Sequence, residues 1–189
     1  IIVVLKKNFF SENKLYENIL LSQKNKEKIA LKGLSKFEIL NHLKQKNQKV
    51  YASIYPNILY KNKSFISEND ILPLSGISDV KTLLCNTNQN GYPVFYFSDN
   101  HGFRNNLKDY KNLSLVLTGD SFTHGYCEDY DLNYFLNKKG VKTLNLGMQG
   151  NGPLSALGTM REYNVTSKSL VYVYHENDLN DLEFEKKSF

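Results

Sequence analysis

Three short polar turns hold most of the residues able to do chemistry: Thr118-Gly119-Asp120-Ser121-Phe122-Thr123-His124-Gly125, Gly147-Met148-Gln149-Gly150-Asn151-Gly152-Pro153, and His175-Glu176-Asn177-Asp178. Each follows an apolar run and so stands where a β-strand gives way to the next element. In the first turn, Gly119 permits a tight bend and close backbone approach, which exposes the Ser121 hydroxyl at the strand end. Two uses of Ser121 are open on this turn alone, nucleophile or cap of the following helix. In the second turn no side chain at Gly150 blocks the surrounding N–H groups, and Pro153 suits the first turn of a helix. In the third, Asn177 either offers its side-chain NH₂ to an anionic oxygen or ties loops together. The amides of Ser121 and Gly150 with the Asn177 side chain would aim three donors at one oxygen. Losing one such donor typically adds about 2.7–4 kcal/mol to an acyl-transfer barrier.

The elements that must position these turns are legible around them. After Asn112 the pattern alternates strand and helix: strands over 113–117, 141–146 and 170–174, helices over 130–139 and 154–163. Such alternation predicts an α/β domain with a parallel sheet covered by helices. Its strands are nearly continuously apolar, as strands buried on both faces must be. Reactive side chains of such a sheet gather beyond its carboxyl ends.

Ahead of this domain, apolar residues at mostly helical spacing between Asn13 and Gln48 predict two helices broken near Gly33 and Ser35. The second begins at Ser35, which forms a capping box with Glu38, and ends near Lys46 to Asn47. Val50 to Ile54 favours strand, Lys61 to Asn69 a surface loop, and Leu72 to Gly76 an irregular connection. Val80 to Cys85 and Tyr92 to Ser98 read as a β-hairpin around an Asn- and Gly-rich turn. The boundary is placed at 107/108, giving a helical and hairpin region over 1–107 and the α/β domain over 108–189.

Composition narrows the partners. Of the 189 residues 41% are hydrophobic, enough for one substantial core. The net charge of +5 is uneven, because residues 1–63 hold 13 Lys against 4 Glu. Those lysines are scattered through helical pattern without interleaved stacking aromatics, so they read as a solvated helix face and not as a nucleic-acid surface. Cys85 and Cys127 match no metal or redox spacing and are expected to be buried thiols. Ile1 to Leu5 running into Lys6-Lys7 is either a short buried strand or the tail of a longer apolar segment, which would place a membrane anchor upstream. No metal or organic cofactor is expected; Asp178 and Asp181 read as solvated caps.

The turn Gly119-Asp120-Ser121, the Gly150 turn and the Asn177-Asp178 pair, in this order over residues 113 to 182, resemble the first three blocks of the SGNH (GDSL-like) hydrolase superfamily. More loosely, Asp99 to Asn105, Asn145 to Pro153 and Glu176 to Leu182 resemble a subgroup of uncharacterised bacterial members. The resemblance implies a three-layer flavodoxin-like sheet, truncated on its carboxyl side, and a catalytic set of Ser121 as nucleophile with Ser121, Gly150 and Asn177 as oxyanion donors. It further implies a lipid or O-acetyl carbohydrate ester as substrate, or acyl transfer to a sugar hydroxyl on the same site. A binding module that kept the fold is the third reading.

Two departures stand out. His175 occupies the position where the third block usually carries Gly, and the Asp-x-x-His of the last block occurs nowhere in the chain. A serine hydroxyl needs a base to become a nucleophile. That pair is therefore expected beyond Phe189, with turnover by these residues alone expected to be poor. His124 or His175 as a substitute base is the lesser alternative to a surface or loop role for both. Other templates fail on single residues: Gly-x-Ser-x-Gly needs glycine where Thr123 stands, no Gly-Lys-Ser/Thr closes a phosphate loop, and a dinucleotide turn meets Ser155 at its third glycine.

Overall fold

The computed structural model describes residues 25–61, 73–105, 111–163 and 167–188. The expected loop over Lys61 to Asn69, apart from Lys61 itself, which ends a helix, the apolar stretch Ile1 to Leu5 and most of the first expected helix lie outside them; of that helix, residues 25–30 are described and helical. The second forms as read. Helix α1 (Lys36–Gln45) starts at Ser35, whose side chain and that of Glu38 each bond the other's backbone N–H. It stops at Lys46, followed by Asn47 at φ 57°. Its buried face, Ile39 and Leu43, packs with Leu31 against Leu83. Burying each such side chain contributes roughly 1.5–3 kcal/mol.

Strand β1 (Val50–Ala52) pairs in parallel with β2 (Lys81–Cys85), and β2 pairs antiparallel with β3 (Val94–Phe97). The hairpin is thus present, and the Val50 run makes it three-stranded, with order β1-β2-β3. Between β1 and β2 comes helix α2 (Pro56–Lys61). The bends over 74–76 match the irregular connection read there.

The second sheet is parallel, of order β5-β4-β6. Strand β4 (Leu113–Gly119) leads into helix α3 (Ser121–His124), then α4 (Leu132–Lys138), β5 (Thr143–Asn145), α5 (Pro153–Glu162), β6 (Ser167–Val173) and α6 (Asp178–Ser188). Asp131 caps α4 by accepting from the Tyr134 N–H at 2.8 Å, and Pro153 opens α5 as expected. Leu113, Val116, Leu144, Leu146 and Met148 form the core beside this sheet with Tyr55 and Phe103 from the first half of the chain. The two regions therefore share one hydrophobic interior. The residues at 106–110, around the expected 107/108 boundary, are not described.

Two expectations need correction. Strand β6 is not buried on both faces: Leu170 and Val171 are 49% and 42% exposed. Among the described residues it pairs with β4 alone and stands at the edge of the sheet. Cys85 and Cys127 are not separate thiols but a disulfide joining β2 to the loop after α3. Cysteines 42 residues apart give no sequence signal of pairing when the fold supplies the proximity. Closing such a loop restrains the unfolded chain, so Cys127→Ser is expected to lower the unfolding free energy by about 2–4 kcal/mol, read from urea midpoints under oxidising conditions. Equal midpoints would refute the bond. Among the described residues no helix is long and apolar enough to cross a membrane.

Candidate active site

In the β5-β4-β6 order the chain leaves β4, pairs β5 on one side and returns to pair β6 on the other. Connections that depart in opposite directions from a central strand open a crevice at the strands' carboxyl ends, where open α/β sheets bind ligands. The turns after β4 and β6 flank that crevice: Thr118 and Gly119 pair with Tyr172 and Val173 at the end of the register. Gly119 sits at φ 146°, and a Cβ there would collide with Thr123 Oγ1 and the Val173 carbonyl, so the close approach of the two turns requires glycine.

The capping role that competed for Ser121 belongs to Asp120. Its Oδ1 accepts from the Phe122 N–H at 3.0 Å, which leaves Ser121 as the first residue of α3 with its hydroxyl available. Ser121 Oγ lies 3.5 Å from Asp120 Oδ2, and Asn177 Nδ2 lies 3.4 Å from the same oxygen. One oxygen is therefore within reach of both groups. Asn177 Nδ2 also donates to Asp181 Oδ2 at 2.8 Å, and Asn177 Oδ1 meets His175 Nδ1. An amide oxygen only accepts, so the imidazole proton is on Nδ1 and, in the neutral ring, Nε2 is an acceptor. The His175 ring stacks on Phe122, the neighbour of Ser121, with centroids 4.3 Å apart.

Gly150 is placed differently. Its turn is tied to strand β4, since the Met148 N–H donates to the Gly119 carbonyl at 3.2 Å. Its own φ is 76°, and a Cβ would run into the Asn57 side chain from α2. Among the described residues Gly150 makes no hydrogen bond to Ser121 or Asn177. Ser121 and Asn177 are brought together; Gly150 stands at the neighbouring strand end, with its bare Cα accommodating Asn57.

The acidic side chains of α6 were underestimated. Asp178, expected to be solvated, is fully buried and accepts from the His175 N–H at 3.0 Å and the Tyr172 hydroxyl at 3.2 Å. Burial, followed by Asp178, raises the Tyr172 phenol well above its ordinary pKa. Glu185 is 2% exposed and accepts from the N–H groups of Gly152, Leu154 and Ser155 at 2.9–3.1 Å, and from the Ser155 hydroxyl. Gly152 offers no side chain to cap α5, and Glu185 satisfies those free amides instead. The spacing of Asp178, Asp181 and Glu185 along one helix face was the available signal.

Behind the site lies a buried polar network of which the sequence pattern gives no sign. Arg104 donates to the carbonyls of Gly125, Glu128 and Asp129 at 2.9 Å, which pins the loop leaving α3. Asn105 donates to Asp99 Oδ2 at 2.7 Å and to the Asn145 carbonyl at 2.9 Å. The Asn145 side chain donates to the Thr123 carbonyl and to Asp131 Oδ2, and accepts from the Gly147 N–H. It thereby couples the Ser121 turn to the Gly150 turn.

His124 proves to be neither a loop residue nor a base for Ser121. It is fully buried, edge-on to Tyr55 and Tyr96, and neither ring nitrogen has a partner among the described residues. Burial, assisted by the Arg104 charge, lowers its pKa to about 3. The unfolded chain binds a proton near pH 6.5 that the folded chain refuses until about pH 3, so stability falls as pH drops through that window, by up to about 1.4 kcal/mol per pH unit. His124→Phe should flatten the acid limb of the stability profile between those pH values. An unchanged slope would mean that the histidine ionises in the fold.

No protein-family model, curated protein or solved structure matches the chain. Fold and site alone define the class: an α/β protein with a parallel β5-β4-β6 sheet, carrying Ser121 and Asn177 around one oxygen position at the crevice beyond β4 and β6. Among the described residues no cluster of His, Cys, Asp or Glu is arranged to hold a metal ion.

Proposed function

We propose that the chain carries the nucleophile half of a serine-dependent acyl-ester hydrolase of the SGNH type, on a flavodoxin-like three-layer sheet of which β5-β4-β6 is the first part. The observation that supports this reading is that Ser121 Oγ and Asn177 Nδ2, from turns far apart in the chain, both approach one oxygen of the Asp120 carboxylate, at 3.5 and 3.4 Å, and so stand within reach of a common atom. In the reaction the Ser121 oxygen attacks the ester carbonyl carbon. The carbonyl oxygen, now anionic, takes hydrogen bonds from Asn177 Nδ2 and from the amides of Ser121 and Gly150. The hydroxyl proton passes to a general base, which in this chemistry is a histidine held by an aspartate, and then to the leaving alcohol. Water repeats the sequence on the acyl-enzyme. Ester chains of lipids and O-acetyl groups of glycans both fit this chemistry.

The test is hydrolysis of a p-nitrophenyl acyl ester by the full-length protein, with and without the Ser121 hydroxyl. A second reading, a binding module, is favoured by one observation: the Asp120 carboxylate lies between Ser121 and Asn177, and an anion there opposes the charge an oxyanion hole must receive. Absence of turnover in the full-length protein, with ligand binding retained, would establish that second reading.

A further inference from the structure

The segment that leaves Ser121 places an aromatic ring at every fourth residue: Phe122, Tyr126, Tyr130 and Tyr134. The first three are 59%, 57% and 56% exposed, although each ring would lower the free energy by leaving water. Tyr130 stacks on Tyr134 with centroids 4.3 Å apart, and Phe135 meets that pair edge-on. Across from them Phe97, on the edge strand β3, is 64% exposed. Between Phe97 and the pair of Tyr130 and Tyr134 lie two adjoining cavities of about 390 and 330 Å³, which share Tyr130, Asp129 and the β3 residues; Phe122 and Tyr126 stand outside them. Together they form a furrow of the size small-molecule sites have.

The lining selects the ligand. Arg104, Asp131 and Asn137 also line the furrow and are held by bonds to the protein, so polar groups of fixed position alternate with aromatic faces. Carboxylates and cations alternate along its wall, with Asp129 and Asp131 paired to Lys28 and Arg104, and Glu27 accompanied by Lys81 and Lys138, so the furrow holds no large excess of one sign of the kind that selects a polyanion. Tyrosine hydroxyls and carboxylates are poor company for an acyl chain or an aliphatic protein core. Sugar rings present flat C–H faces with hydroxyls around the rim and match both components. We infer that the furrow between β3 and α4 binds an uncharged oligosaccharide. That this glycan bears the ester cleaved at Ser121 rests on the function proposed above; the binding itself does not.

The experiment is titration of the full-length protein with chitotetraose, cellotetraose and xylotetraose, followed through tyrosine fluorescence and calorimetry, with a heparin tetrasaccharide and oligothymidylate as polyanion controls. At least one neutral tetrasaccharide should bind with a Kd below about 10 mM. Tyr130→Ala and Phe97→Ala, both at exposed rings, should each weaken it about tenfold or more without moving the unfolding midpoint. Ser121→Ala should bind as the parent does, which separates failure of this inference from failure of the esterase reading. Absence of neutral-sugar binding, indifference to both ring substitutions, or preference for the polyanions would each overturn it.

Discussion

Replacing Ser121 by alanine in the full-length protein is expected to lower kcat/KM for a p-nitrophenyl acyl ester by about 10⁴-fold or more, because the proposed acyl-enzyme forms on that hydroxyl. What remains would come from substrate binding and from oxyanion donors that the substitution leaves in place. Stability should change by less than about 0.5 kcal/mol, since the hydroxyl makes one long contact to Asp120 and caps nothing. The contrast between lost turnover and preserved folding makes the measurement decisive. Activity that survives the substitution would refute the nucleophile assignment. Asp120 should not be used in its place, because removing its bond to the Phe122 N–H disturbs α3 and confounds chemistry with folding.

The second large effect is structural. Asn145 is completely buried, and its side chain makes hydrogen bonds of 2.6, 3.0 and 2.8 Å to the Thr123 carbonyl, Asp131 Oδ2 and the Gly147 N–H. Asn145→Leu is close in size but leaves all of these partners unmet in a dry interior. Each buried unsatisfied group costs about 1–3 kcal/mol, so losing three such bonds should remove roughly 3–9 kcal/mol, a large part of a typical domain's stability. A urea titration reads this directly, and a loss below about 1 kcal/mol would mean that water reaches the network. Turnover should fall beyond what unfolding explains, since Asn145 joins the turn of Ser121 to that of Gly150.

The site's electrostatics follow from the same crowding. Asp120, Asp178, Asp181 and Glu185 all converge near the β4 and β6 ends, and each is held by N–H or hydroxyl donors. Partnered in this way the carboxylates serve to orient Asn177, His175 and the start of α5. The disulfide and the Arg104 contacts hold the loop beyond α3 from the other side. The Ser121 turn is thus braced by elements from both halves of the chain, in keeping with the shared core.

What the sequence alone determined was local. The capping box at Ser35, the hairpin around Gly91, the strand, turn and helix after Asn112 and Pro153 at the head of α5 each depend on residues within a few positions of one another. The three polar turns were legible for the same reason, and parallel strands had to bring at least two of them to one edge. Tertiary structure alone decided which groups meet. The Cys85 to Cys127 bond, the Asn105 to Asn145 bonds and Glu185 on the Ser155 amide of α5 join residues 42, 40 and 30 positions apart. Partners at such separations leave no periodic trace, because side-chain proximity there is set by how strands and helices pack. The same holds for the burial of His124 and Asp178 and the exposure of β6, which depend on what the rest of the chain covers.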